Sequence, residues 1–381
     1  MKFDLNRLDE LTAPVWEGNK VVEETVLFLG KDEKKQLLYT PDEILSVKSF
    51  DLTREFVKDK DYRLVDGHLE LCEDTEIPFF AFDEYYNDNF SDSLQTLVNG
   101  EWKNTYWGEA LKVKGHQIAV TYTHSDKWER FIPADESANF KKFLGKLERG
   151  ENATVFYYGD SITAGANASG RDKHEPFMPT WPELVTLGIA KKYGYTVHFV
   201  VTDFINGSIL SREDVSFGDR GVLTMVNTAV GGWRVENGIE SFEVHCDLFI
   251  RKFGCDLLVL AFGMNDKRHT GEEEKELVSQ LAGMFLEIAD PDVMLVATML
   301  PNPEANERWN LNQKYFEKEF YEIARELREK GVGAAVAPMT SMSAAVLERK
   351  FFRDWTGNNI NHPNDFMVRV YAATLLKTLL G

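Results

Sequence analysis

The stretch TVFYYGDSITAG at 154–165 decides the fold. Five residues, mostly apolar, make a run of strand length, and a glycine, an aspartate and a serine end it at Gly159-Asp160-Ser161. A serine on a turn directly after a strand projects its hydroxyl at the sheet edge, where a substrate can reach it. The glycines allow that turn to be tight. The same pattern also suits a serine that only caps the segment after it, so the neighbouring sequence has to decide between the two readings.

Downstream the texture is regular. Apolar runs at 197–204, 223–230, 256–263, 292–299 and 333–339 alternate with helical patterns at 181–193, 235–254, 272–290 and 311–331. The last helix is expected to carry Leu311, Tyr315, Ile323 and Leu327 on one stripe. Near-continuous apolar strands separated by amphipathic helices predict a parallel sheet covered on both faces, a three-layer α/β/α domain over 151–381. In such sheets ligands sit at the carboxyl ends of the strands. Upstream, KDYRLVDGHLELCE (60–73) sets Asp66-Gly67 between two alternating segments, a hairpin signal, and 77–86 and 116–124 read as further strands. Residues 1–150 therefore read as an all-β sandwich, with a connecting helix at 137–152.

Three more segments follow strands. Asn227 to Trp233 contains the pair Gly231-Gly232, which suits an ordinary turn or a backbone donor to a ligand oxygen. Gly263-Met264-Asn265-Asp266 places an amide that either caps a helix or donates to the same oxygen. His362 stands at a loop-to-helix junction beside Pro363, where it suits a structural role or that of a general base.

These four blocks, in this order and with these strand placements, resemble the SGNH (GDSL) hydrolase superfamily over roughly residues 152–381. The resemblance implies a serine esterase with Ser161 as nucleophile and His362 as base. It implies an oxyanion hole made by Ser161, Gly232 and Asn265. The superfamily usually has an aspartate three residues before the histidine, and here that residue is Asn359. An amide oxygen can still fix the imidazole tautomer but lacks charge, and in a serine protease the corresponding change costs ~10⁴ in turnover. Asn359, Asp365 and Asp354 are therefore the candidates for orienting His362, with a Ser–His dyad the expectation. A β-sandwich ahead of such a domain is similar to carbohydrate esterases with an added jelly-roll module. That similarity implies removal of a small acyl group, most simply acetyl, from an oligosaccharide. The loops carrying His174, Trp233 and Arg234 are the expected substrate contacts, and the aromatics Trp102, Tyr106, Trp107 and Trp128 read either as a sugar platform or as core. A lipid acylhydrolase or thioesterase, and an inactive carbohydrate-binding relative, are the competing readings.

Composition narrows the partners. With 381 residues and a net charge of −19, the chain is a poor fit to nucleic acid or an anionic membrane surface. There is no run of ~18 apolar residues for a spanning helix, and the charged N-terminal stretch does not read as a secretory signal. The three cysteines include no CxxC, which favours a reducing, cytoplasmic compartment over a disulfide framework. No metal-ligand spacing is present, so no cofactor is expected, and the oligomeric state is left open.

Overall fold

The computed structural model describes residues 2–87, 89, 94–109, 111–203 and 208–381. The N-terminal region is β-rich. Strands β1 (Lys20–Leu27), β2 (Glu43–Ser49) and β3 (Gln117–Thr123) form one antiparallel sheet in the order β1-β3-β2. The hairpin at 60–73 forms, Tyr62–Val65 against His68–Leu71, because Asp66 and Gly67 both take the positive φ that its two-residue turn needs. A second hairpin pairs Gln95–Val98 with Glu101–Asn104. The strand expected over 77–86 does not form. Phe80 makes a single bridge to Leu29, and Phe82–Tyr85 closes into a helical turn.

The second half is built on six parallel strands. These are β4 (Ala153–Gly159), β5 (Thr196–Thr202), β6 (Val222–Asn227), β7 (Leu257–Ala261), β8 (Asp292–Ala297) and β9 (Ala334–Pro338). Their order is β5-β6-β4-β7-β8-β9, and two short antiparallel pieces, Ile209–Leu210 and Val215–Ser216, flank the β5 edge. Alternate residues of β4 serve opposite cores. Val155 and Tyr157 face one side, Phe156 and Tyr158 the other. Full burial of side chains this size is worth roughly 1.5–3 kcal/mol each, and this two-sided burial explains why the strand reads as an unbroken apolar run.

The helices follow the sequence pattern closely. Those of six residues or more, among the described residues, are α1 (Lys141–Arg149), α2 (Trp181–Tyr193), α3 (Val235–Glu240), α4 (Leu248–Phe253), α5 (Gly271–Leu286), α6 (Gln313–Glu329), α7 (Met339–Leu347) and α8 (Asp365–Leu380). The single helix expected over 235–254 is interrupted by a π-helical turn at Glu243–Asp247. On α6 the buried stripe is Phe316, Phe320, Ile323 and Leu327, and Tyr315 lies on the exposed side. Helix α1 packs with the parallel sheet, where the Phe143 N–H donates to Asp292 Oδ2 at 2.9 Å.

The two regions share a core. Leu8, Val26, Ile118 and Tyr122 belong to the same apolar cluster as Phe366, Val370 and Leu375 of α8. None of the described helices is long and apolar enough to cross a membrane.

Candidate active site

Strand β4 is the point where the chain order reverses, with β6 on one side and β7 on the other. The carboxyl ends of these three neighbours therefore open one crevice, and the three strand-borne blocks singled out in the sequence follow them. Gly159, at the end of β4, is packed so tightly that a Cβ there would meet the Ala261 carbonyl oxygen at 2.3 Å. This close approach lets β4 turn directly into Asp160-Ser161. Burial pushes the Asp160 carboxyl up to about 7, and it accepts the Ile162 N–H at 2.9 Å. The Trp181 indole, fully buried on α2, donates to the Ile162 carbonyl at 2.9 Å and pins the same turn.

The other two loops are tied to this turn and to each other. Asn227 donates through Nδ2 to the Thr163 carbonyl at 2.9 Å. Asp266 accepts from the Gly263 N–H at 2.9 Å and the Val235 N–H at 2.8 Å, which fastens the loop after β7 to the one after β6. Asn265 gives one amide hydrogen to the Trp233 carbonyl at 2.9 Å, leaving its second for another acceptor. Gly232, at φ 77°, lines the cleft beside it.

His362 arrives from the far end of the chain. Its loop is closed by Asn358, whose Oδ1 accepts the N–H groups of Ile360, Asn361 and His362 at 2.9, 3.0 and 3.1 Å. Asn364 caps α8 and donates to Thr25 Oγ1 at 2.9 Å and Gln117 Oε1 at 3.0 Å, so the N-terminal sheet holds the residue two places after the histidine. Preceding the loop are Lys350, paired with Glu24 at 2.5 Å, and Asp354, paired with Lys35 at 2.9 Å, all four fully buried. Burial pushes the Asp354 carboxyl up, but the charges of Lys35, Lys350 and Arg353 outweigh it and hold the carboxyl below its usual range.

The geometry joins Ser161 and His362, with Oγ and Nε2 2.9 Å apart. Ser161, Gly232, Asn265 and His362 line one cleft of about 390 Å³. None of the three expected orienting groups touches the imidazole. Asn359, in the left-handed region at φ 68°, donates to the Tyr106 carbonyl at 2.8 Å. Asp365 accepts the Ser169 N–H at 2.8 Å, and Asp354 is occupied by Lys35 and the Leu27 N–H. The ring nitrogen Nδ1 instead lies 3.0 Å from Glu109 Oε2. Glu109 belongs to the N-terminal region, 253 residues away, and no local spacing or motif singles it out.

The expected substrate contacts also move. His174 turns to Lys114 and the Glu175 carbonyl, the Trp233 ring packs on Tyr158 and His245, and Arg234 pairs with Glu236 at the surface. The cleft walls are Trp107, Asn167, Arg171, Trp309 and Asn361. Trp107 and Trp309 lie with ring centroids 6.2 Å apart. Of the other aromatics named from sequence, Trp102 is exposed on its hairpin and Trp128 packs on Tyr39.

Among the described residues, one group has the spacing of metal ligands. Atoms of Glu236, Asp266 and His269 lie within 4.8 Å of one another. Both ring nitrogens of His269 are already engaged, Nδ1 by Glu274 at 2.8 Å and Nε2 by Glu236 at 2.9 Å. The Glu274 hydrogen bond and the surrounding carboxylate charges raise the His269 imidazole to about 9, against the opposing effect of burial.

A serine hydroxyl in contact with an imidazole at the switch point of a parallel sheet, beside a glycine turn and an asparagine amide, is an arrangement able to carry out acyl transfer. The sequence profile of the GDSL-like lipase/acylhydrolase family matches residues 155–366, and the chain belongs to that family of carboxylic ester hydrolases. A search of curated proteins found no match. Among solved structures, a two-domain esterase active on acetylated mannans is similar at 19% identity and a TM-score of 0.45, covering 64% of this chain and 53% of its own. An acetyl xylan esterase from Geobacillus stearothermophilus aligns at 12% identity and a TM-score of 0.37, covering 59% and 93%. A lipase/acylhydrolase from Enterococcus faecalis aligns at 18% identity and a TM-score of 0.36, covering 59% and 95%. The present chain thus spans about half the length of the two-domain esterase.

Proposed function

We propose that the chain removes small acyl groups, most simply acetyl, from a saccharide through an acyl-enzyme on Ser161. The observation that carries this reading is the 2.9 Å contact between Ser161 Oγ and His362 Nε2 on the wall of a cleft that two tryptophans also line. His362 takes the hydroxyl proton as Oγ attacks the ester carbonyl. The oxygen that becomes negative is received by the backbone N–H groups of Ser161 and Gly232 and the second amide hydrogen of Asn265. His362 then gives its proton to the leaving alcohol, and a water activated by the same ring releases the acyl group as the carboxylate.

The walls support a sugar as the alcohol. Trp107 and Trp309 offer aromatic faces, and Asn167, Arg171 and Asn361 are hydrogen-bonding side chains. The aromatic faces can stack on a sugar ring while these polar side chains reach its hydroxyls.

Two measurements test the reading. A fluorophosphonate probe should label Ser161, and Ser161→Ala should abolish labelling. A chain-length series of p-nitrophenyl esters should peak sharply at acetyl. An optimum at long acyl chains would replace this reading with a lipid acylhydrolase, and absence of labelling with saccharide binding intact would make the chain an inactive binding relative.

A further inference from the structure

We propose that Glu109 is the positioning carboxylate of His362, delivered from the N-terminal region in place of the aspartate that Asn359 replaces. This inference rests on the Ser161–His362 reading above and adds a third member to it.

The carboxylate is built into the site at three points. Oε2 lies 3.0 Å from His362 Nδ1 and accepts from Asn167 Nδ2 at 2.9 Å. Oε1 accepts from Asn358 Nδ2 at 2.9 Å. Asn167 lies on the loop after the nucleophile, and Asn358 closes the loop of the base. One side chain therefore holds both catalytic loops and the imidazole together. Burial works to raise the Glu109 carboxyl, but the hydrogen bond and charge of His362, aided by the two amides, overcome it and hold the group at about 2. It is an anion throughout the range in which an esterase works.

The segment that carries Glu109 is docked onto the histidine loop. Asn359 donates to the Tyr106 carbonyl, and the Gly108 N–H reaches the Asn358 carbonyl at 3.4 Å. Behind it, the hairpin at 95–104 is bonded to the loop that bears Trp309, with Leu97 N–H to the Glu304 carbonyl at 3.0 Å and Asn306 N–H to the Gln95 carbonyl at 2.9 Å. Asn359 thus anchors the segment that brings in the carboxylate its own position lacks. An anion on Nδ1 keeps the proton there, leaves the Nε2 lone pair facing Ser161, and stabilises the imidazolium that forms during attack. No proton passes to Glu109.

The test compares Glu109→Gln, Glu109→Asp and Glu109→Ala in the full chain. Because Glu109 also ties the two loops together, Glu109→Ala should lower the melting temperature more than Glu109→Gln, and kcat is compared on the folded fraction of each variant. On p-nitrophenyl acetate, Glu109→Gln should lower kcat by ~10²–10⁴ with KM nearly unchanged. Glu109→Asp should recover part of that loss, and added formate should partly rescue Glu109→Ala. A second readout does not depend on turnover. Nitrogen NMR of neutral His362 should show the Nδ1–H tautomer in the unsubstituted chain and a tautomer mixture in Glu109→Ala.

Turnover of Glu109→Gln within about threefold of the unsubstituted chain would overturn the proposal, and so would an unchanged tautomer in Glu109→Ala. If the unsubstituted chain neither labels nor hydrolyses esters, the hydrolase reading fails. The tautomer measurement then still decides whether Glu109 orients the ring.

Discussion

The side-chain amide of Asn359 donates to the backbone carbonyl of Tyr106 at 2.8 Å, joining the histidine loop to a segment 253 residues earlier. Restoring a carboxylate at this position should therefore harm the enzyme. In Asn359→Asp a buried anion would face a carbonyl oxygen and lose the only donor in that contact. Leaving such a group unsatisfied costs about 1–3 kcal/mol. We expect lower stability by that amount in urea unfolding and a tenfold or greater fall in kcat. A gain in activity would contradict the placement of Asn359.

The Glu24–Lys350 pair gives a prediction about folding. Glu24 accepts from Lys350 at 2.5 Å and from the Tyr122 hydroxyl at 2.6 Å, and it also takes the Leu38 N–H. Removing one partner of a fully buried pair strands the other charge, at a cost of about 3–5 kcal/mol. Glu24→Gln should lose stability on this scale in equilibrium unfolding. The folded fraction should keep its kcat within a few-fold, since neither group lines the cleft.

Stability should depend on pH through the cluster under the loops that follow β6 and β7. His269 is raised to about 9 from its usual value near 6.5, so its contribution is complete below pH 6.5 and lost as pH rises through 9. Burial, together with the charge of Glu274, pushes Asp266 up to about 7. A raised carboxyl also destabilises the fold as it ionises, between its unfolded value near 4 and pH 7. Both effects have the same sign, and urea midpoints should fall from pH 6 to pH 9.5. In His269→Gln the midpoint at pH 6 should be lower and the decline to pH 9.5 shallower. Parallel profiles would show that the cluster does not set the slope.

Substrate size should depend on the paired tryptophans. If Trp107 and Trp309 receive the sugar, Trp107→Ala and Trp309→Ala should raise KM for an acetylated oligosaccharide about tenfold, a loss of ~1.4 kcal/mol. Hydrolysis of p-nitrophenyl acetate should change little. Equal effects on both substrates would mean that the rings shape the cleft without recognising the sugar.

Much of the second half was legible because its determinants are local. A strand buried on both faces must be apolar throughout, a surface helix must repeat every 3.6 residues, and the turns after β4, β6 and β7 need glycine, asparagine or aspartate where they stand. Helix α2 matches its predicted span. Errors arose where local pattern is ambiguous. The aromatic run at 77–86 has strand composition but forms only isolated bridges, at Phe80 and Tyr86, and Tyr315 has helical spacing but faces solvent. The carboxylate that meets the imidazole comes from Glu109, far from His362 in sequence, and the residue three places before the histidine is an amide.

By itself the sequence determined the parallel sheet, the loops at its carboxyl edge, and the serine and histidine those loops present, because strand burial and turn geometry are written in neighbouring residues. Tertiary structure alone decided which carboxylate meets the imidazole and which aromatics wall the cleft. A contact of 3.0 Å between Glu109 and His362 leaves no periodicity in the chain. It exists because the N-terminal region, through Thr25, Gln117, Glu24 and Lys35, grips the segment on both sides of the histidine and docks Tyr106 and Gly108 onto its loop.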